Sequence, residues 1–162
     1  MGADRSRFEA LVRAHAGSVS AYARAVAPDP WTAEDAVQET FLRAWKYLDS
    51  FRGRGSFEGW LIRICRNCII DLVSSRPVHL DEHLPERPAP PDTTNEVYDL
   101  VERLPVEHRE VVALCGLLGF DYATTAEILG VPVGTVRSRL HRARAILERQ
   151  LEAAGEGEEA TA

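Results

Sequence analysis

The chain has 162 residues, of which 45% are hydrophobic and 27% charged, a composition that excludes an intrinsically disordered protein. Its formal net charge of −6 excludes a uniformly basic nucleic-acid-binding protein. Locally, however, residues 51–76 hold five arginines against two acidic residues, and residues 133–150 hold five arginines against one. No apolar run approaches the roughly 20 residues of a membrane-spanning helix, and residues 1–13 lack the apolar core of a signal peptide. We therefore expect a cytoplasmic globular protein, with no membrane partner and two basic segments that can contact phosphate.

The first predicted helix covers residues 5–26, where apolar residues recur at helical spacing. Its expected core-facing stripe consists of Phe8, Leu11, Val12, Val19, Tyr22 and Val26. His15 lies in this stripe and is expected to be a packing residue, because a lone histidine on an apolar face is more often core than a ligand. Pro28 and Pro30 are expected to end the helix and open a short loop.

The second predicted helix begins at Thr32, a suitable N-cap before the acidic residues Glu34 and Asp35. Its expected buried stripe consists of Val37, Phe41, Ala44, Trp45 and Leu48. A second face, here called the Leu42 face, consists of Asp35, Gln38, Glu39, Leu42 and Lys46. This face is either a solvated surface or, because an exposed leucine lies among polar groups, a protein interface with a small apolar centre.

A loop rich in glycine and arginine follows at residues 49–56. Its glycines permit backbone conformations that other residues rarely adopt, and its arginines can bind phosphates. We call residues 51–56 the basic loop. Its candidate DNA-binding residues are Phe51, Arg52, Arg54 and Ser56.

Ser56 is expected to cap a third helix. The core stripe of this helix consists of Phe57, Trp60, Leu61, Ile64, Cys68 and Leu72. Arg63 and Arg66 lie away from the stripe, with Asn67 at its edge. A basic loop, aromatic residues and a polar helix face together suit single-stranded nucleic acid, whose unstacked bases are bound by edge and by stacking. The alternative is a basic surface beside an aromatic core.

From Ser74 to about Thr94 the sequence is rich in proline and acid and has no periodicity, which is typical of a linker. We therefore predict an all-α protein of two small helical domains joined by a proline-rich acidic linker. The predicted segments are a first domain at 1–76, the linker at 77–93, a second domain at 94–151 and a disordered acidic tail at 152–162.

Cys65 and Cys68, followed by His79 and His83, superficially have the spacing of a zinc finger. Both cysteines lie on the apolar side of a strongly periodic helix, whereas a zinc finger needs a hairpin there. We expect two buried thiols and no metal ion, and a zinc or thiol sensor is the alternative. No nucleophile has an oriented base and an oxyanion site, so we expect neither an enzyme nor a cofactor.

The second domain is predicted to open with a short helix at residues 95–104 that Pro105 stops. Pro105 begins another helix, which ends near Gly116 or Gly119. The inward residues of this helix are Leu114, Cys115 and Leu118.

Residues 118–147 predict a helix, a tight turn and a second helix. Asp121 is a suitable N-cap for the first helix and Gly130 its expected end. Pro132 can only begin a new helix, because its missing N–H costs nothing in a first turn. The inward residues of the first helix are Tyr122, Ala126 and Leu129.

The second helix of this motif has two different sides when its residues are placed at about 100° intervals. The core side consists of Val133, Val136, Leu140, Ala143 and Leu147. The opposite side, here called the reading face, consists of Arg137, Ser138, His141 and Arg142. Such a helix can enter a DNA major groove, where arginine bridges guanine O6 and N7. The alternative is a solvated basic face on an ordinary helical hairpin.

Four ordered segments carry a family resemblance. They read AEDAVQETFLRAW, FRGRGSFEGWLIRICRN with IID soon after, LPVEHREVVAL and GVPVGTVRSRLHRARAIL. They span most of residues 31–76 and 104–147, and through them the chain resembles an extracytoplasmic-function (ECF) sigma factor, of the small two-domain class of bacterial transcription initiation subunits. The resemblance implies a protein that binds core RNA polymerase, recognises a two-part promoter and melts it without ATP.

The resemblance also implies a role for each surface. The Leu42 face would bind the β′ clamp coiled coil, and the second domain the β flap. The basic loop, with Arg63, Arg66 and Asn67, would open and hold the non-template strand of the −10 element. The reading face, with Thr135, would bind the −35 element. The linker would run toward the RNA exit path, and an anti-sigma factor is a further partner that the family leads us to expect.

Two features depart from the family pattern. Thr125 occupies a position that is usually aliphatic, which is expected to loosen the first helix of the motif. Cys65 and Cys68 replace commoner small or aliphatic residues, consistent with packing. The alternative function is a stand-alone helix-turn-helix regulator, which needs no polymerase and usually binds a palindromic site as a dimer.

Overall fold

The computed structural model of the protein describes residues 2–76 and 95–159, in two compact units, Met1–Thr93 and Thr94–Ala162. The described residues contain helices and no β-strand, which confirms the predicted all-α fold. The predicted linker at 77–93 lies outside the described residues. The α-helices are α1 (Gly2–Val26), α2 (Pro30–Lys46), α3 (Phe57–Ser74), α4 (Glu96–Glu102), α5 (Val106–Val111), α6 (Tyr122–Leu129) and α7 (Val133–Glu159).

In the first unit, α2 packs against both α1 and α3, which also contact one another. Small side chains allow this close approach, since Ala33, Ala36 and Ala44 of α2 are buried. The large core side chains come from the neighbouring helices, with Tyr22 of α1 and Leu61 of α3 almost fully buried. One side of α2 is therefore buried in the core, and the opposite side lies at the surface.

The N-terminus of α2 is capped by Asp29, not by Thr32 as expected. The Asp29 carboxylate accepts a hydrogen bond from the Thr32 N–H at 2.7 Å and one from the Thr32 hydroxyl at 2.9 Å. The helix therefore begins at Pro30, whose missing N–H is tolerated in a first turn. The loop expected from Pro28 and Pro30 is shorter than predicted for the same reason.

Arg76 ties the end of α3 to this cap. It donates to Asp29 Oδ2 at 2.9 Å and also to the Thr32 hydroxyl. Burial alone would raise the pKa of Asp29, but the hydrogen bonds from Thr32 and Arg76 and the charge of Arg76 outweigh it and lower that pKa. The carboxylate thus caps one helix and pairs with a cation that follows another.

Trp45 does not lie in the core as predicted, because its side chain is 48% exposed. Its ring packs edge-on against Phe8 of α1, with the centroids 5.0 Å apart. The buried stripe of α2 instead runs through alanines and Thr40, whose hydroxyl donates to the Ala36 carbonyl at 2.6 Å. Because α2 is enclosed by two helices, small residues fill the contact and the indole lies at its rim.

In the second unit, α7 packs against α4, α5 and α6. α5 continues directly as a π-helix, Val112–Leu117. The π-helix ends at Leu117, between the predicted ends Gly116 and Gly119, and Gly119 has a φ of +71°. Leu114 is fully buried as predicted, whereas Cys115 and Leu118 are half-buried.

α7 is longer than expected. A disordered tail was predicted from residue 152, yet the helix continues to Glu159, and residues 160–162 lie outside the described residues. Alanine and glutamate favour helix, each glycine costs only about 1 kcal/mol, and an existing helix needs no new nucleus to extend. The two glycines of this segment therefore do not end the helix.

Candidate nucleic-acid and polymerase interfaces

The second unit contains the predicted helix-turn-helix. Asp121 caps α6 by accepting a hydrogen bond from the Thr124 N–H at 2.7 Å. That hydrogen bond lowers the pKa of the Asp121 carboxyl. Gly130 ends α6 with a left-handed φ of +66°, and α7 begins at Val133, directly after Pro132. The predicted cap, stop and restart are all confirmed.

α7 has the two sides that its sequence predicts. Val136, Leu140 and Ala143 are buried, while Val133 is exposed and Leu147 half-buried. The four residues of the reading face are exposed, namely Arg137, Ser138, His141 and Arg142. An exposed polar row that is continuous along a helix packed on its opposite side has the form that fits a major groove.

Thr135 lies beside the reading face and is half-buried. Its carbonyl accepts a hydrogen bond from the Ser138 hydroxyl at 3.1 Å. This contact fixes the Ser138 hydroxyl against its own helix and leaves oxygen lone pairs able to accept from another group.

Tyr122 was expected to point into the core, but it is half-buried and lies beside Arg137. The guanidinium carbon of Arg137 is 5.8 Å from the centroid of the Tyr122 ring. Because helical spacing rules concern one helix at a time, a contact between α6 and α7 was not visible in the sequence pattern.

The Leu42 face is a surface patch around one apolar residue. Leu42 is 67% exposed, Gln38 and Lys46 are exposed, and Asp35 and Glu39 are partly covered. Lys46 also lies over the neighbouring Tyr47 ring, its Nζ 5.3 Å from the centroid. The structure brings the five predicted residues to one side of α2.

Arg43 supports this face, and the sequence analysis did not identify it. Its Nε donates to Glu39 Oε1 at 2.9 Å and its Nη1 to Asp71 Oδ2 at 2.9 Å. The hydrogen bonds from Arg43 to Glu39 and Asp71 raise the pKa of the guanidinium further above its already high value. Because Asp71 is on α3, Arg43 both orients Glu39 and joins the two helices.

The basic loop is open at its tip and anchored at its ends. Gly53 and Gly55 have φ values of +69° and +75°, and the arginines beside them are exposed. The side-chain oxygen of Ser56 accepts a hydrogen bond from the Gly59 N–H at 3.0 Å, which confirms it as the cap of α3. The glycines thus turn the chain where arginines can reach solvent.

Three aromatic rings form the base of the basic loop. The Phe51 ring centroid is 5.3 Å from that of Phe57 and 5.5 Å from that of Trp60, and the latter two are 5.3 Å apart. His15 packs on Phe57 at 5.6 Å, which fits the packing role expected for it. Phe51 is therefore held by an edge-on and a tilted ring contact although it lies in a loop.

The outer side of α3 continues from the basic loop. Arg63 and Asn67 are exposed and Arg66 is partly covered. Ile70 extends the same side and is 45% exposed. Because each of these four residues is three or four positions from two of the others, they share one side of α3.

Comparisons with known proteins identify the two units. Family models described as Sigma-70 region 2 and Sigma-70, region 4 match residues 11–76 and 94–147. The chain is 36% identical over 154 residues to the ECF RNA polymerase sigma factor SigM of Mycobacterium tuberculosis, covering 91% of this chain and 79% of that protein. The chain belongs to the ECF sigma factor family. This confirms the predicted resemblance, and the alternative of a stand-alone regulator is not favoured.

A second relative of this sigma factor is longer. The ECF RNA polymerase sigma factor SigE of Mycolicibacterium smegmatis is 38% identical over 151 residues, which cover 85% of this chain and 58% of that protein. The sigma factor therefore spans somewhat more than half the length of this relative.

Two solved structures have similar folds. One is CnrH in complex with the cytosolic domain of CnrY, with a TM-score of 0.70, 29% identity, and coverage of 92% of this chain and 90% of that one. The other is the sigma factor RpoE in complex with the anti-sigma factor NepR from Bartonella quintana, with a TM-score of 0.75, 26% identity, and coverage of 90% and 97%. Both agree with the two-domain architecture of a sigma factor.

Thr125, the main departure from the family pattern, is fully buried in region 4. Its hydroxyl lies 3.4 Å from the sulfur of Cys115, a distance at which either group can donate a hydrogen bond. A polar group in the core is tolerated when it has a partner. The thiol of the π-helix provides that partner in this sigma factor.

The cysteines of region 2 are buried between helices. Cys65 and Cys68 are fully enclosed, and burial raises the pKa of the Cys65 thiol to about 12 and also raises that of Cys68. Both thiols therefore stay protonated at neutral pH and pack as small apolar groups. His79 and His83, the other members of the zinc-like spacing, lie outside the described residues. In residues 2–76 and 95–159, no helix has the length and apolar character to cross a membrane.

Proposed function

We propose that this sigma factor binds core RNA polymerase through the Leu42 face, melts the −10 element with the basic loop and α3, and reads the −35 element with α7. The observation that carries the proposal is that region 2 and region 4 matches coincide with the two units that bear these surfaces. The protein supplies binding energy rather than a chemical step. It acts in the cytoplasm because its polymerase and promoters are there.

The chemistry of the Leu42 face favours a protein partner. Complete burial of an exposed leucine side chain contributes about 1.5–3 kcal/mol of favourable free energy to binding. The surrounding polar groups can form a hydrogen-bonded rim. Arg43 keeps Glu39 in place before binding, since it is itself held by Asp71. We infer that this face binds the β′ clamp coiled coil, and that region 4 binds the β flap.

The chemistry of the basic loop favours unpaired DNA. Arg52 and Arg54 are exposed cations that closely follow Phe51, whose ring contacts those of Phe57 and Trp60. Cations that follow a phosphate backbone, together with aromatic rings, are the usual components of single-strand binding. Asn67 can contact a base edge and Arg63 a phosphate on the adjoining side of α3.

The chemistry of α7 favours duplex DNA. Arg137 and Arg142 can donate two hydrogen bonds to guanine, and Ser138 and His141 can donate or accept. Thr135 lies at the first turn of the helix, where a hydroxyl and backbone N–H groups can contact phosphate. We infer that these residues bind the −35 element.

An anti-sigma factor is a further proposed partner. The solved structure of RpoE contains its anti-sigma factor NepR, and that of CnrH contains the cytosolic domain of CnrY. Such a partner would regulate this chain by covering surfaces that polymerase needs.

In vitro transcription with core polymerase on a library of promoter sequences tests the function. We expect transcripts that require this protein and templates that share two separated sequence elements. Core polymerase alone is the control. Absence of protein-dependent transcripts, or tight binding of a dimer to a palindrome without polymerase, would contradict the proposal.

A further inference from the structure

Tyr122 contacts the reading face from a different helix. It is the first residue of α6, and its ring centroid is 5.8 Å from the guanidinium carbon of Arg137 on α7. A guanidinium within about 6 Å of a ring centroid is attracted by the negative potential of the ring face. The side chain proposed to read a base is thus in contact with an aromatic ring before DNA binds.

We propose that Tyr122 is a positioning residue that sets the guanine preference of Arg137. This inference rests on the proposed function of α7. A cation–π contact uses the face of the guanidinium plane, whereas recognition of guanine O6 and N7 uses the N–H groups at its edge. The ring can therefore hold Arg137 without occupying the groups that contact the base.

The contact reduces the conformational freedom that Arg137 must lose when it binds. A free arginine side chain has many rotamers, and restricting them opposes binding. Tyrosine has only two side-chain torsions, so it is a comparatively rigid support. Restriction by the ring before binding favours the one geometry that reaches the base edge.

The position of the ring is set by local structure and not by DNA. Asp121 caps α6 through the Thr124 N–H at 2.7 Å, which fixes the first turn where Tyr122 lies. Thr125, one turn further along α6, is fully buried. The ring is therefore attached to a fixed turn of the helix-turn-helix while its own side chain stays half-buried.

The experiment compares the parent protein with three variants at position 122 in the complete holoenzyme. The residue at position 122 is Tyr in the parent and is changed by Tyr122→Phe, Tyr122→Trp and Tyr122→Leu. Each is assayed by transcription from a promoter selected by the parent protein and from versions changed at each −35 base pair. The base pair read by Arg137 is the one at which Arg137→Ala loses discrimination.

We expect the preference at that base pair to fall about two- to fivefold in Tyr122→Leu and to be kept in Tyr122→Phe, since an exposed cation–π contact has a strength of this order. Tyr122→Trp should equal or exceed the parent, because tryptophan binds cations best. Preferences at the other base pairs should not change. In an Arg137→Ala background, Tyr122→Leu should have no further effect at that base pair.

Equal losses at every base pair, or additive effects of Tyr122→Leu and Arg137→Ala, would overturn the inference. Thermal unfolding of each variant tests for folding defects. If Tyr122→Leu does not fold, the preference at that base pair in Tyr122→Trp, the parent and Tyr122→Phe tests the inference instead. A parent holoenzyme without promoter-dependent transcription would overturn the proposed function as well. A parent that discriminates normally, with an unchanged leucine variant, would overturn only the role of Tyr122.

Discussion

The basic loop and the reading face both present arginines, but the backbone carries them in opposite ways. Arg52 and Arg54 alternate with glycines at positive φ, so no helical hydrogen bonds fix the chain that bears them. Arg137 and Arg142 are on a helix whose other side is buried in the core. A duplex presents a groove of constant shape, which suits a fixed helix, whereas a strand that separates from its partner changes shape during the reaction.

The anchors of the two regions differ as well. The basic loop is held through Phe51, whose ring contacts the rings of Phe57 and Trp60 on α3. The reading face is held by the packing of α7 on three other helices. Changes in the first region should therefore affect melting, and changes in the second should affect sequence preference.

The largest effect is expected from Leu42→Arg, which should remove both regions from the promoter together. A buried, unpaired cation at the centre of the polymerase interface costs several kcal/mol, so affinity for core polymerase should fall at least about 100-fold. Fluorescence anisotropy of labelled protein with core polymerase measures this. Leu151→Arg, at a leucine that is 56% exposed on α7, is the matched control. Unchanged affinity in the Leu42 variant would contradict the interface.

The next effect is expected from Phe51→Ala, which should separate melting from upstream recognition. Loss of an aromatic ring that supports or stacks on unpaired bases costs about 1–3 kcal/mol. Formation of the open complex should fall accordingly, measured with a fluorescent base analogue in the −10 element. Affinity for the −35 element, measured on a duplex that lacks the −10 element, should not change. Equal losses in both assays would show that the two regions are not independent.

Arg137→Ala is expected to lose a similar free energy of binding, but at a single base pair only. Loss of a bidentate contact to guanine should cost about 1–3 kcal/mol at that position and leave the other positions unaffected. Competition between promoter variants in one transcription reaction measures it. Uniform weakening on unrelated sequences would instead indicate a phosphate contact.

The smallest effect, a change in the stability of region 4, is expected from Thr125→Val on α6, the helix that packs against α7. Replacing the buried hydroxyl by a methyl group removes a weak contact with Cys115 and a polar group from the core, so region 4 should be stabilised by up to about 1 kcal/mol. Urea denaturation measures the change. Promoter preference should be kept, and destabilisation would show that the contact with the thiol is stronger than its 3.4 Å distance suggests.

Much of the second unit could be predicted from the sequence because its signals are local. Asp121, Gly130 and Pro132 act on the backbone within one turn, through a cap, a left-handed φ and a missing N–H. The alternation of core and exposed residues on α7 likewise follows from helical geometry alone. Two of the four segments that carry the family resemblance lie in this unit.

Two of the features that were missed depend on contacts between distant residues, and a third depends on a local choice of cap. Arg43 is paired with Asp71 of another helix, and no spacing rule on α2 indicates such a partner. Trp45 was placed in the core by periodicity, although alanines fill the contact between helices. Asp29 and Thr32 are both good caps, and the choice between them depends on whether Pro30 opens the helix.

The extension of α7 gives this helix a basic half and an acidic half. Glu148, Glu152 and Glu156 follow one another at intervals of four residues, so they form an exposed acidic row along one side of the helix. At about 1.5 Å per residue, this row begins roughly 10 Å beyond His141. Phosphates attract the arginine half of the helix and repel the glutamate half. Added salt should weaken the attraction and the repulsion together, because it screens both.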